Sequence, residues 1–239
     1  VAAQLLRRCV SLTDANALVG RGRLFVLSSA QALHLFGGRR PGGDLLDVGA
    51  GAGDVTAELA PLFDRVLATE ASAPMVRRLQ RRGFDALGGA DLGSVLDKAS
   101  ESGILHGRDG VLDCVALMNL LDRCDRPLSL LAEVRRRLRP GSGRLLVALV
   151  LPFRPFVESG TTRAAPSERL PLLADDSWED SVSLAWEKVF RPAGFELEAV
   201  ARVPYLSQGD TSSPVYTLDD AIFLLKVAGD GGGSAEAKL

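Results

Sequence analysis

Cysteine and histidine are scarce in this sequence, with three cysteines and two histidines among 239 residues. The cysteines, Cys9, Cys114 and Cys124, are odd in number and far apart, which excludes a disulfide framework and a cysteine-based zinc site. His34 and His106 are too few for a histidine-rich metal centre, so we expect no metal ion. The formal net charge of −2 gives no excess of basic residues, and we expect no nucleic-acid partner.

Long hydrophobic runs are also absent. The longest apolar stretches, such as Leu145 to Phe153, end at about ten residues, whereas a membrane-spanning helix needs about 20, and we expect no stable membrane span. Hydrophobic residues still make up 46% of the chain, enough for the core of one large domain. We expect a monomeric, soluble domain of the cytoplasm or an organelle. The sequence begins with Val1 rather than Met, which is compatible with removal of an N-terminal targeting segment.

Residues 44–151 alternate between short apolar runs and segments with helical periodicity. Asp54 to Phe63, for example, has apolar residues spaced i, i+4 and i+7, as on one face of a helix. Such alternation predicts a doubly wound, mostly parallel α/β sheet of Rossmann-like type. The predicted parallel strands are Asp44 to Val48, Arg65 to Glu70, Phe84 to Leu87, Val111 to Met118 and Arg144 to Leu151.

The segments on either side of this region differ from it in character. Residues 1–40 predict a cap of one or two helices, residues 41–228 a main domain, and residues 229–239 a flexible tail rich in Gly, Ser and Ala. Pro152 to Ser177 has four prolines and no periodicity, which is typical of a long loop or lid. The later predicted elements are a helix from Trp178 to Phe190 and strands from Phe195 to Val203 and from Ala221 to Val227.

A glycine-rich loop follows the first predicted parallel strand, in the segment Asp47-Val48-Gly49-Ala50-Gly51-Ala52-Gly53. Glycines there allow a tight turn and close approach of the backbone to a ligand. Glu70 ends the next strand, where a carboxylate can accept hydrogen bonds from both ribose hydroxyls of a nucleoside. Asp54 stands where a dinucleotide-binding loop has its third glycine. We expect its negative charge to oppose a pyrophosphate and to suit a cationic sulfonium or ammonium group.

This pattern is that of S-adenosylmethionine binding in methyltransferases. Two alternatives are a purely structural turn and an NAD-type site, and the residues favour the methyl donor over both. The predicted cofactor-binding residues are Asp47, Gly49, Ala50, Gly51, Gly53, Glu70 and Asp91.

A second polar cluster, Asn119 to Asp125, follows the fourth predicted parallel strand at the same edge of the sheet. Asn119 and Asp122 are three residues apart, so one short turn can direct both at a single acceptor molecule. The alternative is local capping of the helix after Pro127. We expect Cys124 to have a packing role, because methyl transfer from this donor needs no nucleophilic thiol.

Several longer runs carry a family resemblance. In order along the chain they are Leu120 to Leu128, Ala148 to Phe153, Val203 to Tyr205 and Leu218 to Ala221. Together they closely resemble the DREV family, also called methyltransferase-like protein nine, which are protein-histidine N-pros methyltransferases. The likeness extends from about Leu24 to Val227. The run from Asn119 to Leu128 is highly specific, whereas the glycine motif is shared by many methyltransferases.

The resemblance implies a seven-strand methyltransferase fold that methylates the pros nitrogen (Nδ1) of histidine in proteins with His-x-His motifs, where x is small. It assigns Asp47, Gly49 and Glu70 to the donor. It also implies that three residues hold the substrate imidazole and form the catalytic set, namely Asn119, Asp122 and Tyr216. The sequence departs from the family's pattern at Ala52 and Asp54, at Phe156, and in a long stretch from Gly88 to Gly110.

The chemistry requires orientation more than a strong base. Neutral imidazole is already a nucleophile near pH 7. A carboxylate that accepts the Nε2–H bond leaves the Nδ1 lone pair free and stabilises charge that grows on the ring. We expect Asp122 to do this, with Asn119 and Tyr216 as positioning groups. Two other functions stay open, a small-molecule methyltransferase of the same fold and a catalytically silent donor-binding scaffold.

Overall fold

The structure is a computed structural model, and it describes residues 11–101, 103, 111–208 and 213–229. Cys9, His106, most of the segment from 102 to 110 and the predicted tail beyond Gly229 lie outside the described residues. None of the described helices is long and apolar enough to cross a bilayer.

Eight strands form one sheet. Their bounds are β1 (Leu24–Phe25), β2 (Asp44–Val48), β3 (Arg65–Glu70), β4 (Asp85–Gly88), β5 (Cys114–Met118), β6 (Arg144–Leu151), β9 (Phe195–Gln208) and β10 (Val215–Val227), while β7 (Val157–Ser159) and β8 (Thr162–Ala164) form a separate hairpin. Their order across the sheet is β1-β9-β10-β6-β5-β2-β3-β4. The five strands from β6 to β4 in this order are parallel, and β10, β9 and β1 continue the sheet in antiparallel pairings. The predicted doubly wound α/β class is confirmed.

The strand count differs from the seven that the resemblance implies. The added strand is β1, which lies inside the predicted helical cap and pairs with residues 206 and 207 of β9. This pairing exists because β9 and β10 are longer than predicted. Strand β9 continues to Gln208 and β10 already begins at Val215, so both extend past the ends of the parallel strands. Hydrogen bonds between β9 and β10 hold Pro204, Asp219 and Asp220 within strands, although these residue types favour turns.

Helices cover both faces of the sheet. Their bounds are α1 (Leu12–Leu18), α2 (Ser29–Leu35), α3 (Asp54–Leu59), α4 (Ala73–Arg81), α5 (Leu92–Glu101), α6 (Pro127–Arg137) and α7 (Trp178–Leu184). Helices α5 and α6 and the segment Ala185–Phe190 after α7 pack their apolar residues in one core cluster. Helices α2 and α3 pack in a second cluster on the other face. The helix α7 continues as a π-helical segment, Ala185–Phe190.

The Pro-rich segment is more structured than its sequence predicts. It contains a hairpin of β7 (Val157–Ser159) and β8 (Thr162–Ala164). Buried Phe153, Leu170 and Leu172 anchor the rest of the segment to the core. These anchors are separated by prolines and polar residues, so no helical or alternating pattern could reveal them.

Candidate active site

The candidate donor site lies where the parallel strands end. After β2, the loop glycines Gly49, Gly51 and Gly53 have φ angles of 72°, 54° and 78°. Such positive φ angles strain any residue with a side chain. A Cβ at Gly49 would come within 2.8 Å of Leu120 Cδ1, whereas a Cβ at Gly51 would meet nothing within 4 Å. The loop therefore packs tightly at its start and leaves open space beside its middle glycine.

Glu70, at the end of β3, lies against this loop. Its Oε2 accepts a hydrogen bond from Gly51 N at 2.9 Å, and its Oε1 accepts one from Ser72 N at 3.0 Å. The loop is also fastened to β3, because Gly49 N and Ala50 N donate to Thr69 O. Each oxygen of Glu70 keeps capacity for a further donor. The carboxylate is therefore oriented and still able to accept hydroxyl groups.

Asp47 lies in β2 just before the loop and is buried. Thr56 Oγ1 donates to its Oδ2 at 2.6 Å. Burial raises the pKa of Asp47 to about 6, the Thr56 bond opposes this, and the charge of Glu70 adds to it. A nearby cation would favour the ionised form. The buried acid, the oriented carboxylate and the open glycine backbone together fit S-adenosylmethionine, a nucleoside that carries a cationic sulfonium and an ammonium group.

The structure corrects the expectation for Asp54. This residue begins α3, but its carboxylate is paired with Arg82 Nη1 at 3.0 Å and with Arg23 Nε at 3.5 Å. Arg82 also donates to the carbonyl of Ala52 in the glycine loop. The two arginines already compensate the charge of Asp54. The residue therefore clamps the loop, and the sulfonium has to be matched by other groups.

Asp91 follows β4 at the same edge of the sheet and is exposed. Its Oδ1 accepts a hydrogen bond from Ser94 N at 2.8 Å, as a cap of α5. The bonds from Ser94 hold the pKa of Asp91 below its usual value. Its role toward the cofactor stays a prediction.

The candidate acceptor site lies beside the loop that follows β5. Asn119 has a φ angle of 55°, unusual for a residue with a side chain. Its backbone N–H donates to Ala148 O of β6 at 3.1 Å. Its side-chain Nδ2 donates to Asp220 Oδ2 of β10 at 3.0 Å. Backbone strain of this kind persists where surrounding contacts enforce it, often at functional sites.

Asp122 is 2% exposed. Its Oδ2 lies 2.5 Å from Arg123 Nη1. Burial raises the pKa of Asp122 to about 6, and the charge of Arg123 opposes this. The Oδ1 atoms of Asn119, Asp122 and Asp220 are all buried and have no hydrogen-bond partner within the described part of the chain. The amide oxygen and the oxygens of ionised carboxylates are acceptors, so with both acids ionised the site suits a ligand that brings N–H or O–H donors.

Two residues that the sequence analysis left out of the site belong to this buried cluster. Asp220 is 0% exposed, and burial raises its pKa to about 7, with the charge of Asp122 adding to the effect. Tyr205 of β9 is also buried, which raises its pKa to about 12, and the charges of Asp220 and Asp122 act in the same direction. One signal was available, because Asp220 directly precedes the apolar run Ala221 to Leu225.

Tyr216 lies farther along β10, four residues before Asp220, and is 40% exposed. Four strand residues correspond to about 13 Å. The structure therefore brings Asn119 and Asp122 together and places Tyr216 on the projecting β9–β10 hairpin instead. The role of Tyr216 toward the imidazole stays a prediction.

Arg123 connects Asp122 with the β7–β8 hairpin. The guanidinium carbons of Arg123 and Arg163 each lie 4.0 Å from the centre of the Phe156 ring. Phe156 N also donates to the carbonyl of Asp122 at 3.0 Å. Cys124 lies in the same loop, and burial raises its pKa to about 12. Its thiol is therefore protonated near neutral pH, in agreement with a packing role.

The curated relatives extend beyond this chain. A protein named as an uncharacterized 37.1 kDa protein in transposon TN4556 of Streptomyces fradiae is 34% identical over 111 residues, which are 45% of this chain and 30% of that protein. The match thus spans less than a third of the relative's length.

Solved structures with similar folds support the same α/β fold class. One, from work on the conversion of a disulfide bond into a thioacetal group during echinomycin biosynthesis, has a TM-score of 0.52 at 15% identity and covers 85% of this chain and 82% of its own. Another, a Pyrococcus horikoshii protein proposed to be an RNA methyltransferase, has a TM-score of 0.52 at 12% identity and covers 85% of this chain and 81% of its own. At such identities the likeness shows the fold alone.

A family model extends the comparison to sequence. The model of DREV methyltransferases matches residues 1–227, which include the glycine loop, the Asn119 to Leu128 run and the β9–β10 hairpin. The match confirms the family resemblance predicted from the sequence, and S-adenosylmethionine stays the cofactor predicted from the glycine loop and its acids. The chain therefore belongs to the DREV methyltransferase family.

Proposed function

We propose that this protein methylates the pros nitrogen (Nδ1) of histidine in proteins that carry His-x-His motifs, with x a small residue. The observation that carries the proposal is the buried carboxylate of Asp122. It lies at the ligand edge of a methyltransferase sheet, with one oxygen on Arg123 and the other without a partner among the described residues.

The donor is held by the glycine loop and the acids beside it. Glu70 accepts the ribose hydroxyls, Asp47 balances positive charge, and the Gly51 backbone leaves the space that the ligand needs. S-adenosylmethionine supplies an electrophilic methyl group on a sulfonium. The remaining task of the protein is to present one ring nitrogen to that carbon in line, at about 3 to 3.5 Å.

Asp122 performs the orienting step. Its free Oδ1 accepts the Nε2–H of a neutral imidazole, which fixes the tautomer whose Nδ1 lone pair is free. Attack by Nδ1 on the methyl carbon forms the N–C bond while the S–C bond breaks, which leaves S-adenosylhomocysteine and a positive ring. The same carboxylate stabilises this charge in a site shielded from water, and the Nε2 proton passes to water after transfer. Arg123 keeps Asp122 ionised by its charge and holds the other oxygen in place. Because Asp122 binds Nε2, only Nδ1 is free to attack, and the product is the N-pros isomer.

Asn119 and Tyr216 assist by position. The buried Oδ1 of Asn119 offers a second acceptor next to Asp122. Tyr216 is exposed on the β9–β10 hairpin, where the peptide around the target histidine can reach it. The site has several oxygens that accept hydrogen bonds. They favour a methyl-accepting substrate rich in N–H groups, such as an imidazole flanked by backbone amides.

The test is methyl transfer from S-adenosylmethionine to a His-x-His peptide, with the modified nitrogen identified by mass spectrometry and chromatography of the two methylhistidine isomers. The expected product is the N-pros isomer. A peptide with both histidines replaced by Gln is the control. Turnover on a metabolite but not on the peptide, or a product methylated on Nε2, would reject the proposal.

A further inference from the structure

Asp220 is a buried acid that the mechanism above does not use. It lies opposite Val150 of β6 in the sheet, and its surface is 0% exposed. Asn119 Nδ2 reaches it from the loop after β5, at 3.0 Å from its Oδ2. Its Oδ1 is buried with no partner in the described ranges. A buried carboxyl with an unfilled acceptor costs stability, so its position at the ligand edge points to a role in the site.

The hydrogen bond to Asp220 decides which end of the Asn119 amide faces the acceptor. An Asn side chain offers one oxygen acceptor and one NH₂ donor. Because Nδ2 is bonded to Asp220, Oδ1 is the atom left for a ligand. The flipped amide would bring its oxygen against the carboxylate oxygen of Asp220. The Asn119 backbone, at φ 55° and bonded to Ala148 O, fixes the rest of the residue.

We propose that Asp220 is a positioning residue of the acceptor site, which holds Asn119 with its carbonyl oxygen toward the methyl acceptor. The proposal rests on the proposed function for the identity of that acceptor. The orientation of Asn119 and the nearness of Asp220 to Asp122 are properties of the protein alone.

The polar and charged groups around Asp220 come from several elements. Its neighbours are Asn119 after β5, Asp122 from the following turn and Tyr205 from β9. Asp219 precedes it in β10 and points to the opposite face, but its charge also acts on Asp220. Two carboxyls close together in a buried site each disfavour ionisation of the other. Burial raises the pKa of both acids, and the charge of Asp122 raises the pKa of Asp220 further. A repulsion between two charges acts on both partners. Removing the charge of Asp220 should therefore make Asp122 ionise at lower pH.

The first test uses the free protein and needs no turnover. The ¹³C-carboxyl signal of Asp122 is followed by NMR through a pH titration in the wild type, Asp220→Asn and Asp219→Asn. The matched control is Asp219, the adjacent acid, which is paired with Arg202 at 2.6 Å. We expect the midpoint for Asp122 to move to lower pH in Asp220→Asn and by less in Asp219→Asn. An equal midpoint in wild type and Asp220→Asn would overturn the coupling.

The second test separates orientation from charge by kinetics on the His-x-His peptide. In Asp220→Asn the new amide oxygen can still accept from Asn119, so kcat should be better preserved than in Asp220→Ala. The alanine variant should lose about 10-fold to 100-fold in kcat, the range expected for a misplaced catalytic group, with donor affinity unchanged. Wild-type kcat in Asp220→Ala would overturn the orienting role. A wild type inactive on the peptide would instead reject the proposed function and leave the NMR test standing.

Discussion

Replacing Asp122 by Asn keeps the shape of the side chain and removes its negative charge. In the proposed reaction, this carboxylate orients the imidazole and stabilises the positive charge that grows on it. One preorganised interaction of this kind is worth roughly 10²–10³ in rate. We therefore expect Asp122→Asn to lose about 10²–10³-fold in single-turnover transfer to a His-x-His peptide. An amide at this position can also donate to the ring, so the choice between the two nitrogens should weaken as well.

The loss should not come from unfolding. Burial raises the pKa of Asp122 from 3.8 to about 6. At 1.36 kcal/mol for each pKa unit, ionisation of this group therefore costs the folded state about 3 kcal/mol above pH 6. The Asn variant escapes this cost. Arg123, whose ion pair is removed, still lies over the Phe156 ring and has a side chain that is 39% exposed. At pH 8 the variant should be no less stable than the wild type.

The assay combines three measurements on one preparation: calorimetric affinity for S-adenosylhomocysteine, midpoint of urea unfolding, and single-turnover rate with the methylhistidine isomers separated. Asp125→Asn is the matched control, since Asp125 lies in the same loop, is exposed and bonds Ser167. The control should transfer methyl groups at the wild-type rate. Wild-type turnover in Asp122→Asn, with the N-pros isomer still the sole product, would refute the orienting role of this carboxylate.

Further predictions concern the donor loop, stability and the hairpin. Glu70→Ala should weaken S-adenosylhomocysteine binding by about 1.5–3 kcal/mol for each ribose hydroxyl that no longer has its acceptor, measured by calorimetry, and an unchanged Kd would remove Glu70 from the site. Gly51→Ala should weaken donor binding in the same titration, since its Cβ would enter the open space assigned to the donor, and an unchanged Kd would show that the donor lies elsewhere. The free energy of unfolding should fall as pH rises from about 4 to about 7, because buried carboxyls with raised pKa bind more protons in the folded state than in the unfolded state. Urea unfolding should show a weaker dependence on pH in Asp220→Asn. A wild-type stability that does not change with pH would contradict this. Glu158→Gln should speed hydrogen exchange across β7 and β8, because Glu158 accepts from Thr13 N and Oγ1 of α1, and unchanged exchange would show that α1 does not hold the hairpin.

The parallel part of the sheet could be predicted because its signals are local. Residues 66–69 and 145–151 are continuous apolar or β-branched runs, and the strands predicted around them, 65–70 and 144–151, have the predicted bounds. The glycine loop could be placed for the same reason. A strand, a Gly-rich turn and an amphipathic helix follow one another within about 20 residues. Glu70 then takes its place because parallel neighbours end at one edge.

Partners distant in sequence could not be predicted in this way. The sequence predicts that the charge of Asp54 suits a cationic group of the cofactor, yet Arg23 and Arg82 pair with it from 31 and 28 residues away. A single sequence gives the charge of each residue and not the partner that neutralises it. The β7–β8 hairpin was missed for a related reason. Its contacts with Thr13 and Arg123 come from elements that are far apart in the chain.

The acceptor site shows most clearly what burial adds to a sequence pattern. Asp219 and Asp220 are adjacent and chemically identical, yet Asp219 pairs with Arg202 whereas Asp220 is fully buried. In a strand, neighbouring side chains point to opposite faces, so one residue of register separates a surface ion pair from a buried acid beside Asn119. The register is set by pairing with β9 along the whole length of β10 and with β6 from Asp219 to Lys226. Burial of this acid costs stability, and natural sequences accept such costs mainly at functional sites. The apolar run after Asp220 indicates its position at a strand, but its place beside Asn119 follows only when β10 is next to β6 and the loop after β5 reaches across.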